Sequence, residues 1–184
     1  MIIRQNTLIL GIGNTLLSDE GAGIHALNLM KETFDARSDL TFLDGGTLSF
    51  SLACWIEECH HLIVFDAAEL HAPPGTVKVF AGSDMDAYLG AAKRSAHEVG
   101  LMDLMDIARL TDHLPVNRAL IGIQPQVMDW GMQPTENVGH ALPEAVDQAA
   151  TLLQLWAQPA LTRGTPAARQ HHITPPSESP KTGA

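Results

Sequence analysis

The feature that most constrains this chain is a repeated alternation. Short, unbroken apolar runs each stop at a turn, and stretches with helical spacing separate them. Thr7 to Ile12, Leu40 to Leu43, Leu62 to Phe65 and Ala119 to Ile123 are runs of this kind. A strand covered on both faces needs apolar residues at every position, and such strands belong to parallel sheets between layers of helix. Thr76 to Phe80 instead alternates after the Pro73-Pro74-Gly75 turn, which suits a sheet edge. Ile24, Leu27 and Leu29-Met30 lie at near-helical intervals, as do Leu101, Leu104, Met105 and Ala108 within a helix over Val99 to Leu110. Glu136 to Trp156 reads as a long final helix with Pro143 near its start. The pattern predicts an α/β sheet with helices on both faces.

Local signals add detail. Ser18 is placed to cap the first helix, and Asp19 and Glu20 suit the positive end of its dipole. Leu48 to Cys59 reads as a second helix, capped by Thr47, with Leu48, Leu52, Trp55 and Ile56 on its buried face. Gly82 to Ala96 is polar and Gly-containing, and predicts a loop with a short helical turn. Cys54 and Cys59 are too few for a disulfide framework or a Cys-rich zinc site, and read as two buried thiols.

Charge narrows the partners. The 184 residues carry 11 Lys/Arg against 21 Asp/Glu, a formal net charge of −10. Nucleic acid and anionic membrane surfaces both require clustered cations, and neither is expected as a partner. No apolar run approaches the roughly 18 to 20 residues that span a bilayer, and the N-terminus shows no secretory leader. A cytoplasmic protein is expected, and nothing demands more than a monomer. Composition shifts near Gln158. Residues 159–184 hold five of the 11 prolines and only Leu161 and Ile173 as large apolar residues. We expect one α/β domain over 1–158 and a disordered, Pro-rich tail over 159–184.

In open α/β sheets, ligands bind beyond the carboxyl ends of the strands. Glu20 follows the first strand, Asp44 ends the second and Asp66 ends the third, while His97 precedes a helix. Carboxylates and an imidazole converging there would suit a borderline divalent metal. Taken singly, each has a plainer reading: Glu20 as a first-turn acid, Asp66 as an acceptor for turn backbone, and His97 as a capping or packing residue. Gly11-Ile12-Gly13-Asn14-Thr15-Leu16 lacks the third glycine of a dinucleotide fingerprint, and no phosphate-loop lysine follows. No serine stands in a nucleophile-elbow setting, and Cys54 has a poor environment for a thiolate. Asp44-Gly45-Gly46-Thr47 allows close approach of a backbone-like ligand, though a plain turn explains it nearly as well.

Several separated motifs occur in one order: GIGNTLLSDEGAG over 11–23, Asp-Gly-Gly-Thr over 44–47, the Asp66 strand end, SAHEVGL over 95–101 and IGIQP over 121–125. The set resembles the nickel–iron hydrogenase maturation endopeptidases, in particular those serving uptake-type hydrogenases. The resemblance covers roughly residues 6 to 156. It implies a single three-layer domain with a twisted, five-stranded, mostly parallel sheet. It also implies removal of a C-terminal peptide from the nickel-loaded precursor of the hydrogenase large subunit. Glu20, Asp66 and His97 match the family's nickel-binding residues, and Asp44 matches a residue of substrate positioning or cleavage. Asp44, Glu20 and Asp66 are thus the candidate catalytic carboxylates. The nickel would be supplied by the precursor. Two other readings stay open: a zinc hydrolase of a small substrate, and a non-catalytic module that binds a nickel-bearing client.

Overall fold

The computed structural model describes residues 6–34, 36–91 and 100–157. Five strands form one sheet: β1 (Thr7–Gly11), β2 (Leu40–Asp44), β3 (His61–Ala67), β4 (Val77–Ala81) and β5 (Asn117–Ile123), in the order β2-β1-β3-β5-β4. Four strands run parallel, and β4 lies antiparallel at the edge beside β5. The apolar runs of β1, β3 and β5 are explained by two cores, one on each face, whereas β2 is the other edge of the sheet and only its Leu40 is fully buried. Ile9, Ile63, Phe65 and Ile121 point into one core with α1 (Ala22–Phe34) and α5 (Glu136–Ala157). Leu8, Leu10, Leu62, Val64 and Leu120 point into the other. There they meet α2 (Ala53–Glu57), α3 (Ser83–Ala91) and α4 (Leu101–Leu110). Alternate residues of one strand thus feed opposite layers, so every position must be apolar. In α4 the expected stripe holds, with Leu101, Leu104, Met105 and Ala108 all buried.

Four local expectations are corrected. Gly82 to Ala96 is not mainly loop, because Ser83–Ala91 is helical. Its Met85 enters the core and Asp86 binds Arg118 through a two-pronged pair, tertiary contacts that override a weak local pattern. Ser18 does not cap α1. It has φ 49°, starts a 3-10 turn over Ser18–Gly21, and its hydroxyl donates to the Asp129 carbonyl at 2.9 Å. The second helix is shorter than Leu48 to Cys59, comprising a 3-10 turn at Phe50–Leu52 and then α2, with no side-chain cap from Thr47. Leu52 and Ile56 are buried there, but Trp55 and Cys54 are exposed. The five-residue helix offers the core only a narrow face, which takes Ile56 and leaves Cys54 and Trp55 outside. The Pro-rich tail lies outside the described residues.

Candidate functional site

β1 leads through α1 to β2 on one side, and the chain then crosses beneath β1 to form β3 on the other. The β1–β3 boundary is therefore the point where strand order reverses, and the carboxyl ends there are where open α/β sheets form their ligand crevice. The glycines of the first motif build it. Gly13 has φ 136°, and a Cβ there would come within 1.8 Å of the Glu20 carbonyl oxygen. A Cβ on Gly23 would meet the Ile12 and Phe65 carbonyl oxygens at 2.3 Å each. These positions let the Ser18–Gly21 turn and the start of α1 lie directly on the strand ends, which brings Glu20 to β3.

Asp66 stands one residue beyond the Gly11–Phe65 register pair, on the same face of β3 as Leu62 and Val64. It is half-buried, and its carboxyl is pushed up to about 7. Burial is the main cause. The Ala67 N–H opposes it, and the negative charge of Glu20 adds to it. Tyr88 of α3 stacks on Phe80, donates to the Glu69 carbonyl at 3.3 Å, and is itself raised by burial and by the charges of Asp66 and Glu69. The structure therefore brings Glu20 and Asp66 within electrostatic reach of one another, and Asp66 within reach of Tyr88.

Asp44 is placed differently. It pairs with Gly11 from the β2 side, so β1 stands between it and Asp66, about 10 Å across two strand spacings. It is exposed, and its Oδ1 accepts the Gly46 N–H at 2.9 Å. Gly45 N–H donates to the Gly11 carbonyl, and Gly13 N–H to the Gly46 carbonyl, both at 2.9 Å. The Asp-Gly-Gly loop is thus stitched to β1, a rim to the crevice rather than part of the Glu20–Asp66 pair. His97 lies outside the described residues. Among the described residues no three His, Cys, Asp or Glu side chains come together as a metal cluster.

A model of the family described as hydrogenase maturation protease matches residues 24–152. The chain belongs to the hydrogenase maturation protease family. It is 36% identical over 162 residues to the hydrogenase expression/formation protein HupD of Rhizobium leguminosarum bv. viciae, covering 88% of this chain and 80% of that one. It is 29% identical to the hydrogenase 2 maturation protease of Escherichia coli over 80% of this chain and 90% of that one. Among solved structures, the E. coli endopeptidase HybD superposes with a TM-score of 0.73 at 27% identity, covering 83% of this chain and 94% of that chain.

For a protease of this family the thiols are poor nucleophiles. Cys59 is buried, its thiol pushed up to about 12 chiefly by burial, and it donates to the Ile56 carbonyl. Cys54 sits exposed on α2.

Sequence reasoning missed Asp19. It is fully buried, and its carboxylate accepts the N–H groups of Gln126, Val127 and Thr135 at 2.8, 2.9 and 2.6 Å, and the Thr135 hydroxyl at 3.0 Å. These donors lie 107 to 116 residues further along the chain, so nothing local separates Asp19 from Glu20. A helix-dipole reading treats the two acids alike, although one is a structural tie and the other bears its charge on Asp66.

Proposed function

We propose that this protein is the cytoplasmic, monomeric endopeptidase that removes the C-terminal peptide from the nickel-loaded precursor of a nickel–iron hydrogenase large subunit. One observation carries the reading: in a chain of this family, Glu20 and Asp66 meet at the strand-order reversal, with Asp66 pushed up to about 7. Two carboxyls sharing a half-buried site repel one another, and nickel carried in by the substrate would offset that repulsion. Glu20, Asp66 and His97 are the proposed contacts to that ion, a donor set that suits nickel. As the loaded precursor docks, Asp66 gives up its proton to solvent and the Glu20–Asp66 repulsion is relieved. An unloaded precursor offers no such relief, which gives the site a means of telling the two apart.

Hydrolysis adds water across the scissile C–N bond. No cysteine at the strand ends is placed to attack the carbonyl, so water is the proposed nucleophile, with the carboxylates of the crevice as its proton acceptors. Asp44, on the far rim, positions the incoming peptide along the Asp-Gly-Gly loop.

The test is intact mass spectrometry of a large-subunit precursor mixed with this protein, with and without nickel loading. Loss of a short C-terminal peptide from the loaded sample alone is expected. An unchanged mass in both samples, with folded protein and cognate precursor, would leave client binding as the better reading. Tightly held zinc in the purified protein, with turnover of a small substrate instead, would move it to the zinc hydrolases.

A further inference from the structure

A band of apolar side chains borders the turn that carries Glu20. Leu16, Val127, Met128, Trp130 and Met132 all expose large apolar side chains, Trp130 at 80% of its full exposure. They are held together in space. The Gly131 N–H donates to the Leu16 carbonyl at 3.0 Å, and the Ser18 N–H donates to the Gly131 carbonyl at 2.7 Å. Leu17 and Gly131 form a parallel β-bridge, and a Cβ on Gly131 would meet the Ser18 hydroxyl at 2.4 Å. Buried Asp19 then fastens the segment at both ends, through Gln126 and Val127 on one side and Thr135 on the other.

Single exposed apolar residues are ordinary on protein surfaces. A contiguous group that includes a tryptophan and two methionines is not, and these residue types are favoured at protein interfaces. The backbone beneath them is already ordered by a buried carboxylate, so a partner docking here meets little further ordering cost. Fold stability does not account for these side chains, since Trp130 and Met132 contribute almost nothing to either core.

We propose that this ledge grips an apolar stretch of the precursor flanking the scissile bond. The inference rests on the peptidase reading and deepens it. Continuity with the crevice favours that occupant. Leu16 precedes Glu20 by four residues, and the Leu17–Gly131 bridge and the Ser18 N–H bond to Gly131 run straight into the Ser18–Gly21 turn that carries Glu20. Charge favours it too. Residues 126–135 carry Asp129 as their one charged side chain, so the surface selects apolar rather than ionic groups. A second copy of a chain with net charge −10 would be repelled.

The test compares Trp130→Ser, Met132→Ser and the double variant with Val116→Ser, which removes an exposed apolar group on another part of the surface. Steady-state processing of loaded precursor and stopped-flow association of labelled precursor, read before cleavage, are measured alongside thermal melts. The double variant should raise KM and weaken association by about 10- to 30-fold, with kcat within about twofold and the melt unchanged. Val116→Ser should match wild type. Unchanged KM and association in the double variant would overturn the ledge. So would a wild-type dimer, seen by sedimentation, that the substitutions abolish while precursor KM stays put. If wild type cleaves no loaded precursor, the peptidase reading fails separately and association alone decides the ledge. Trp130-dependent association then upholds it, and its absence overturns it.

Discussion

Asp19 and Asp66 are the same residue type near the same strand ends, and the fold treats them in opposite ways. For Asp19, burial alone would raise the carboxyl, but three backbone N–H groups and the Thr135 hydroxyl outweigh it and hold it below its ordinary value. For Asp66, burial meets one opposing N–H among the described residues, that of Ala67, and Glu20 reinforces the rise to about 7. The contrast teaches how to tell a tie from a site. A carboxylate whose donors all come from its own chain is spent on structure. One raised by burial and by a second carboxylate is a candidate for chemistry or for the cation proposed above.

The sharpest break of that contrast is Asp66→Asn. If Asp66 contacts nickel as proposed, processing of loaded precursor should fall by more than about 100-fold, since losing a direct contact should exceed the effect of losing a supporting one. The free protein should nevertheless become more stable at pH 8, by roughly 1–3 kcal/mol after allowing for partial solvation. The sign follows from a folded value of about 7 against 3.8 for the free side chain. Ionisation of Asp66 costs nothing below 3.8, costs progressively more between 3.8 and 7, and costs fully above 7. Urea melts across that range check it, and a variant less stable than wild type at pH 8 would break the contrast.

Asp19→Asn should do the reverse. The amide loses the charge and turns donors toward backbone donors, so stability should drop by about 2–4 kcal/mol in denaturant melts near neutral pH. Because the folded value lies below 3.8, this contribution is present above 3.8 and lost as pH falls through the folded value. The gap between wild type and variant should therefore narrow in acid.

A smaller effect is expected at the rim. Asp44→Asn should slow cleavage by about tenfold while changing affinity for the nickel-loaded precursor little, as a split of single-turnover rate from association would show. An equal loss in both would move Asp44 into the ion's surroundings. Smallest of all, Cys54→Ser should leave processing unchanged and stability within about 0.5 kcal/mol, because the thiol is exposed and makes no part of either core. A marked loss of activity would return a thiol nucleophile to consideration.

Much of the sheet was legible in the chain because burial on both faces writes itself into consecutive residues. The runs at Leu62 to Phe65 and Ala119 to Ile123 and the α4 stripe carry their burial locally, whereas in edge strand β4 the buried residue is Phe80, on the face of exposed Lys78. Trp55 and Ser83–Ala91 went unread because short helices have little periodicity, and their burial is decided by what they pack against. Ser18 likewise carried a capping signal that its bond to the Asp129 carbonyl overrode.

For the site, the sequence by itself determined the alternation that makes an α/β sheet, the acids at the strand ends, and the ordered motifs that mark the family. Hydrophobic period and turn chemistry act between near neighbours, so a linear reading reaches them. Only the tertiary structure decided that Glu20 meets Asp66, that Asp44 stands on the far side of β1, and that Asp19 ties down a segment more than 100 residues away. Solvation and charge depend on what surrounds a group in space. Two adjacent acids in one turn can therefore acquire opposite roles that no local pattern distinguishes.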